Sequence, residues 1–186
     1  AAGETLVCFE ILLGSSNADT LTGDGAVNVL DGADGDDTLK GGADSDTLIG
    51  NSGADTASYA GSVGVTVDLA VLTGQASLGD ASGDVLSGIE NLIGSSNADA
   101  LAGDGSANVL DGSGGDDTLT GAAGADSLVG NSGADTASYA GSAGVTVDLA
   151  VLVGQTSGGD ASGDVLSGIE NLIGSSNAHV LTGDGS

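Results

Sequence analysis

Whatever chemistry this chain performs is carried by acidic side chains set at a fixed interval. Between residues 14 and 58 an Asp or Asn stands at every ninth position, at Asp19, Asn28, Asp37, Asp46 and Asp55. Between residues 94 and 138 the same phase gives Asp99, Asn108, Asp117, Asp126 and Asp135. Each lies five positions after a Gly and two before a Leu or Ala. One such Asp would read as a solvated turn former, whereas ten at one phase describe stacked acidic turns able to ligate metal. The overall charge argues the same way. Twenty-seven acidic residues against the single cation Lys40 give −26, which resists compaction unless counter-cations are bound.

Other chemistries find few residues to use. With one His, one Lys, one Cys and no Arg, a nucleophilic triad would have to rely on His179, which takes a slot that the other units fill with Asp19 and Asp99. A ladder of equivalent carboxylates offers no differentiated acid and base, so no enzymatic activity is expected. Cys8 has no disulfide partner and aligns with Gly88 and Gly168, so it reads as an incidental substitution. The acidic balance argues against nucleic acid and against anionic membrane surfaces. No segment has the uninterrupted apolar length of a membrane span or the pattern of a signal peptide.

The elements that position these carboxylates follow from composition and repetition. The chain has 186 residues, of which 36 are Gly, none is Pro, 39% are apolar and only three are aromatic. That apolar content argues against disorder, while the scarcity of aromatics predicts a thin core of stacked aliphatic side chains. The segment GSSNAD begins at Gly14 and Gly94, and GSSNAH at Gly174, giving a period of 80 residues. Residues 14–93 and 94–173 differ at only sixteen of eighty positions. Each unit opens with five nonapeptides, over residues 14–58 and 94–138, followed by spacers over 59–93 and 139–173. Residues 1–13 read as the end of a diverged unit and residues 174–186 as the start of a third, so the sequence reads as an excerpt of a longer array.

Within a nonapeptide, six residues of turn and three of strand is the natural division, with Gly supplying positive φ and the x-Leu-x triplet pointing one side chain inward. In the spacer, Val65, Val67 and Leu69 alternate with Thr66 and Asp68 as a half-buried strand does. Residues 74–83 read as a loop, and the length suggests nearly two 18-residue coils. Carrying the phase backwards puts Glu90 and Glu170 in the acidic slot.

The nonapeptides approximate GGxGxDxUx, U being a large apolar residue, and in this they resemble the RTX (repeats-in-toxin), hemolysin-type calcium-binding family. The resemblance implies an all-β fold, a parallel β-roll or β-solenoid with calcium ions in its turns. It marks Asp19, Asn28, Asp37, Asp46, Asp55, Asp99, Asn108, Asp117, Asp126 and Asp135 as the metal ligands. The chemistry agrees, since Ca²⁺ takes six to eight oxygens from carboxylates and backbone carbonyls, and Gly-rich turns expose carbonyls. If two nonapeptides make a coil, turns n and n+2 stack on one edge. Asp19, Asp37 and Asp55 then line one edge while Asn28 and Asp46 line the other, and shared turns hold about six ions in both units. Asp36, Asp44 and Asp116 are auxiliary ligands or solvated carboxylates, and His179 reads as a broken site.

Two roles fit such a chain. One is a stalk, adhesin, surface-layer or filament element of a secreted protein, supported by near-identical tandem units that lengthen a solenoid. The alternative is an accessory or secretion module of an extracellular enzyme such as a protease, lipase or polysaccharide epimerase. Ice binding is disfavoured because the Thr20/Thr22 pair is not repeated in the coils that follow. The resemblance implies type I export of an unfolded chain, folding on calcium outside the cell, and an extracellular location. Uncapped strand edges at the ends of a solenoid invite association end to end.

Overall fold

An x-Leu-x triplet can bury its central side chain only if triplets stack with every Leu turned the same way. The computed structural model, which describes residues 11–185, achieves this with eighteen three-residue strands and no α-helix among the described residues. β1 (Ile11–Leu13) precedes the first unit, whose nonapeptides supply β2 (Thr20–Thr22), β3 (Val29–Asp31), β4 (Thr38–Lys40), β5 (Thr47–Ile49) and β6 (Thr56–Ser58). All pair in parallel: β1 with β3 and β3 with β5, β2 with β4 and β4 with β6. Each strand therefore meets the one 18 residues later, as in Leu21 beside Leu39 and Leu30 beside Leu48. Two nonapeptides make one coil.

Leu30, Leu39, Leu48 and Ala57 have no exposed surface, and neither have Leu110, Leu119, Leu128 and Ala137 of the second unit. At about 1.5–3 kcal/mol for each buried Leu, this aliphatic stack forms most of the core, with Tyr59 and Tyr139 joining it. The expected all-β, parallel solenoid is the architecture observed.

The spacer differs from the near-two coils that its length suggests. After β7 (Thr66–Asp68) and β8 (Val85–Ser87) comes β9 (Asn91–Ile93), which pairs directly with β6, so the spacer makes a single enlarged coil. That coil holds two strands between paired neighbours where the nonapeptide coils hold one. The alternating Val65, Val67 and Leu69 are buried as expected. The extra length becomes a closed excursion whose clamp is Gln75. Its Nε2 donates to the Asp68 carbonyl at 3.0 Å and its Oε1 accepts from the Asp68 N–H at 2.9 Å. Within the segment expected to be loop lies one 3-10 turn, Gly79–Ala81, whose Ala81 is buried. Lys40 donates from Nζ to the Ala60 carbonyl and ties down the entry to the spacer.

An extra strand per spacer changes which nonapeptides stack on which side. The second unit supplies β10 (Ala100–Ala102), β11 (Val109–Asp111), β12 (Thr118–Thr120), β13 (Ser127–Val129), β14 (Thr136–Ser138), β15 (Thr146–Asp148), β16 (Val165–Ser167) and β17 (Asn171–Ile173), and β18 (Val180–Thr182) follows. One seven-stranded sheet, β2-β4-β6-β9-β11-β13-β16, runs through both units. It carries the first, third and fifth nonapeptides of the first unit but the second and fourth of the next. Elsewhere the stack β1-β3-β5-β8 ends and β7-β10-β12-β14-β17 begins. Successive units are thus offset by half a coil.

Candidate metal centres

Each acidic side chain stands at the last turn position, directly before a strand, so stacking the strands stacks the carboxylates. A backbone N–H from one coil donates to a side-chain oxygen of the next: Asp19 to Asp37 Oδ1, Asp37 to Asp55 Oδ1 and Asp55 to Glu90 Oε2, each at 2.8 Å. Because of the half-coil offset, this column continues into the other set of the second unit. Asn108 Nδ2 donates to the Glu90 carbonyl, Asn108 N–H to Asp126 Oδ1, and Asp126 N–H to Asp164 Oδ1. A second column links Asn28, Asp46 and Asp84. A third begins at the Val65 N–H and passes through Asp99, Asp117, Asp135 and Glu170. Within each unit the two sets therefore divide as expected, and the half-coil offset exchanges their columns from one unit to the next.

The second carboxylate oxygen divides the ten expected ligands into two groups. In Asp37, Asp46, Asp55, Asp117, Asp126 and Asp135, Oδ2 is buried with no hydrogen-bond partner. These residues are the third, fourth and fifth of each block. In the first two turns of each block the side chain is consumed locally. Ser15 N–H donates to Asp19 Oδ2 and Ser95 N–H to Asp99 Oδ2, both at 2.6 Å. Asp24 and Asp104 N–H donate to the Oδ1 atoms of Asn28 and Asn108.

Backbone geometry makes the same division. In the later turns positive φ falls at the second and fourth positions, as in Ala33 and Gly35, Asn51 and Gly53, and Gly42 and Asp44. The non-Gly residues there accept about 1–2 kcal/mol of left-handed strain each, so the turn keeps its shape where the sequence departs from Gly. The opening Gly is needed for space: a methyl on Gly32, Gly41, Gly112 or Gly121 would collide with the Oδ2 of Asp37, Asp46, Asp117 or Asp126 respectively.

Burial, more than any neighbouring charge, pushes the Asp46 and Asp126 carboxyls up to about 6 and those of Asp84 and Asp117 to about 7. It raises Asp55, Asp135 and Asp164 as well, while hydrogen bonds from Ser15 lower Asp19. Six unpartnered buried oxygens, cradles that a methyl would fill and an all-oxygen donor set fit a hard cation such as calcium. Among the described residues no three His, Cys, Asp or Glu side chains cluster as a metal group. Most of the further ligands would therefore be backbone carbonyls.

Asp84 and Asp164 occupy the same slot, fully buried, yet their Oδ2 atoms are closed off by protein. Tyr59 and Tyr139, both buried, donate from their hydroxyls at 3.2 and 2.9 Å. Neither Asp was expected as a ladder member, although the Asp-Val-Leu-Ser run at residues 84–87 carries the Asp-x-Leu-x signal. Replacing Tyr59 and Tyr139 by Phe strands a buried carboxylate oxygen at each site, which costs about 1–3 kcal/mol apiece. Thermal unfolding of the double variant in calcium should move to lower temperature. An unchanged melting curve would rule out the phenol as the partner.

The remaining acidic and nitrogen candidates take other places. Asp36 and Asp116 accept the N–H groups of Ala54 and Ala134 through Oδ1, joining neighbouring turns. Asp44 is exposed. His179 stands exposed in its slot with Nδ1 3.0 Å from the Asn177 carbonyl oxygen. Cys8 lies outside the described residues.

Comparison with protein families matches the sequence to the RTX calcium-binding nonapeptide repeat in four copies, over residues 10–39, 22–57, 84–119 and 102–137, together more than half of the chain. Comparison with curated proteins found no match.

Proposed function

We propose, for a chain that belongs to the RTX calcium-binding nonapeptide repeat family, that Asp37, Asp46, Asp55, Asp117, Asp126 and Asp135 hold calcium with backbone carbonyls of their turns. The observation that carries this reading is the set of six buried carboxylate oxygens without a partner. Calcium supplies the positive charge that lets stacked anions stay buried. Asp19, Asp99, Asn28 and Asn108 instead shape their own turns and extend the ladder.

Such a chain acts as a structural segment of a secreted protein, a stalk or filament element that becomes rigid on meeting extracellular calcium. A formal charge of −26 keeps it unfolded where free calcium is scarce. The seven-stranded sheet running unbroken through both units favours the stalk over a discrete accessory module. No helix among the described residues is long and apolar enough to cross a membrane.

Calorimetric calcium titration of four variants tests the ligand assignment. Asp37→Ala and Asp117→Ala should each lose an ion, or weaken its binding at least about tenfold, the equivalent of about 1.4 kcal/mol. Asn28→Ala and Asn108→Ala should keep the full complement, because those side chains serve Asp24 and Asp104 N–H groups. Equal losses in the two pairs would defeat the assignment.

A further inference from the structure

The spacer coil ends in a turn unlike any in the nonapeptide block. Between β8 and β9 only Gly88, Ile89 and Glu90 intervene, and they lie directly above the six-residue turn 50–55. The Gly50 N–H donates to the Ser87 carbonyl at 2.9 Å, and the Asp55 carbonyl accepts from both Glu90 and Asn91 N–H groups. The Asp55 N–H donates to Glu90 Oε2. Asp55 Oδ2 at this junction is buried without a hydrogen-bond partner, on a residue with no exposed surface. A methyl on Gly50 would collide with the Gly88 carbonyl oxygen and with Asp55 Oδ2, so both oxygens face the same point.

The junction recurs in the second unit. Asp135 Oδ2 is buried and unpartnered, Glu170 Oε2 accepts the Asp135 N–H at 2.8 Å, and a methyl on Gly130 would meet the Gly168 carbonyl and Asp135 Oδ2. The neighbouring column is built differently at the same level, since Asp84 and Asp164 are sealed by tyrosine hydroxyls. Each spacer therefore leaves one acidic column open and closes the other.

We propose that each open junction is a calcium site made jointly by repeat and spacer, with Asp55, the Gly88 carbonyl and Glu90 as ligands in the first unit and Asp135, the Gly168 carbonyl and Glu170 in the second. The inference rests on the calcium reading above and deepens it. An ion here bonds the end of one nonapeptide block to the spacer coil, on which the next unit stacks through the hydrogen bond from Asn108 Nδ2 to the Glu90 carbonyl.

The test is calcium stoichiometry and affinity, by calorimetry and native mass spectrometry, on the whole chain with Glu90→Gln, Glu170→Gln and both. Gln keeps an oxygen to accept the Asp55 or Asp135 N–H and removes only the charge. Asp80→Asn with Asp160→Asn removes the same charge elsewhere in the spacer and serves as the control. Each single Gln variant should lose one ion, or weaken one site at least about tenfold, and the double variant two of about six. Circular dichroism at saturating calcium should remain that of the unaltered chain. Stoichiometry and affinities like those of the control would overturn the junction site and leave the nonapeptide sites standing. An unaltered chain that takes up no calcium would instead overturn the parent reading.

Discussion

Removing calcium should unfold the chain: in metal-stripped buffer with EGTA its circular dichroism is expected to lose the β signal, and millimolar calcium to restore it. The ladder gives the reason. Parallel strands stack about 4.8 Å apart, and two like charges at that spacing repel by about 3 kcal/mol at an effective dielectric near 20. Asp37 and Asp55, or Asp117 and Asp135, are held at this repeat by the hydrogen bonds that form the column. Opposing them is a thin core of single Leu, Val or Ala side chains, one per strand, to which Tyr59 and Tyr139 are the aromatic contribution. A ligand that binds only the folded state adds about 2.7 kcal/mol per site at a hundred times its dissociation constant. Six independent sites then supply about 16 kcal/mol, more than the roughly 5–15 kcal/mol by which domains are stable. Magnesium should substitute poorly, because it demands a tight octahedron and gives up its water reluctantly. A chain equally β-rich in chelator would show that the ladder closes without metal.

The coil was legible in the sequence because its two signals have fixed periods. Gly at position 1 and Leu at position 8 specify a turn and an inward side chain, and stacking in steps of 18 residues follows once the turns are short. The sites were legible only in part. Asp19 and Asp37 occupy the same phase, yet one is consumed by the N–H of Ser15 while the other keeps a free oxygen, and the difference lies in the backbone of the turn. The signal for it is position 4, which is Gly at Gly35, Gly53, Gly115, Gly124 and Gly133 but never in the first two turns of a block; what it does to the carboxylate is visible only in the fold. The change of column at the spacer was hidden. It depends on Thr66–Asp68 and Val85–Ser87 both becoming strands within one coil, a matter of pairing rather than local pattern. Tyr59 and Tyr139 stand at no repeating slot, so only the folded chain brings their hydroxyls to Asp84 and Asp164.

Acid should act on the metal-free chain in the opposite sense from its usual effect on a protein. Burial raises the folded-state carboxyls of Asp46 and Asp126 to about 6 and those of Asp84 and Asp117 to about 7, from 3.8 when unperturbed. Between those limits the folded chain binds more protons than the unfolded one, so stability rises as pH falls. This contribution is complete below about pH 4 and is lost as pH climbs through 6 to 7. Protonation also removes the ladder's repulsion and lets an orphaned oxygen carry a hydrogen of its own. Metal-free chain that is unfolded at pH 7.5 should therefore gain β structure on titration toward about pH 4.5. In calcium the same protons compete with the ion, so the midpoint of a calcium titration should move to higher concentration as pH drops from about 7 to 5. Circular dichroism across this range, in metal-stripped buffer and at several fixed calcium concentrations, measures both. A metal-free β signal that declines on acidification, or a calcium midpoint indifferent to pH, would mean that these carboxyls are neither buried as anions nor bound to the ion.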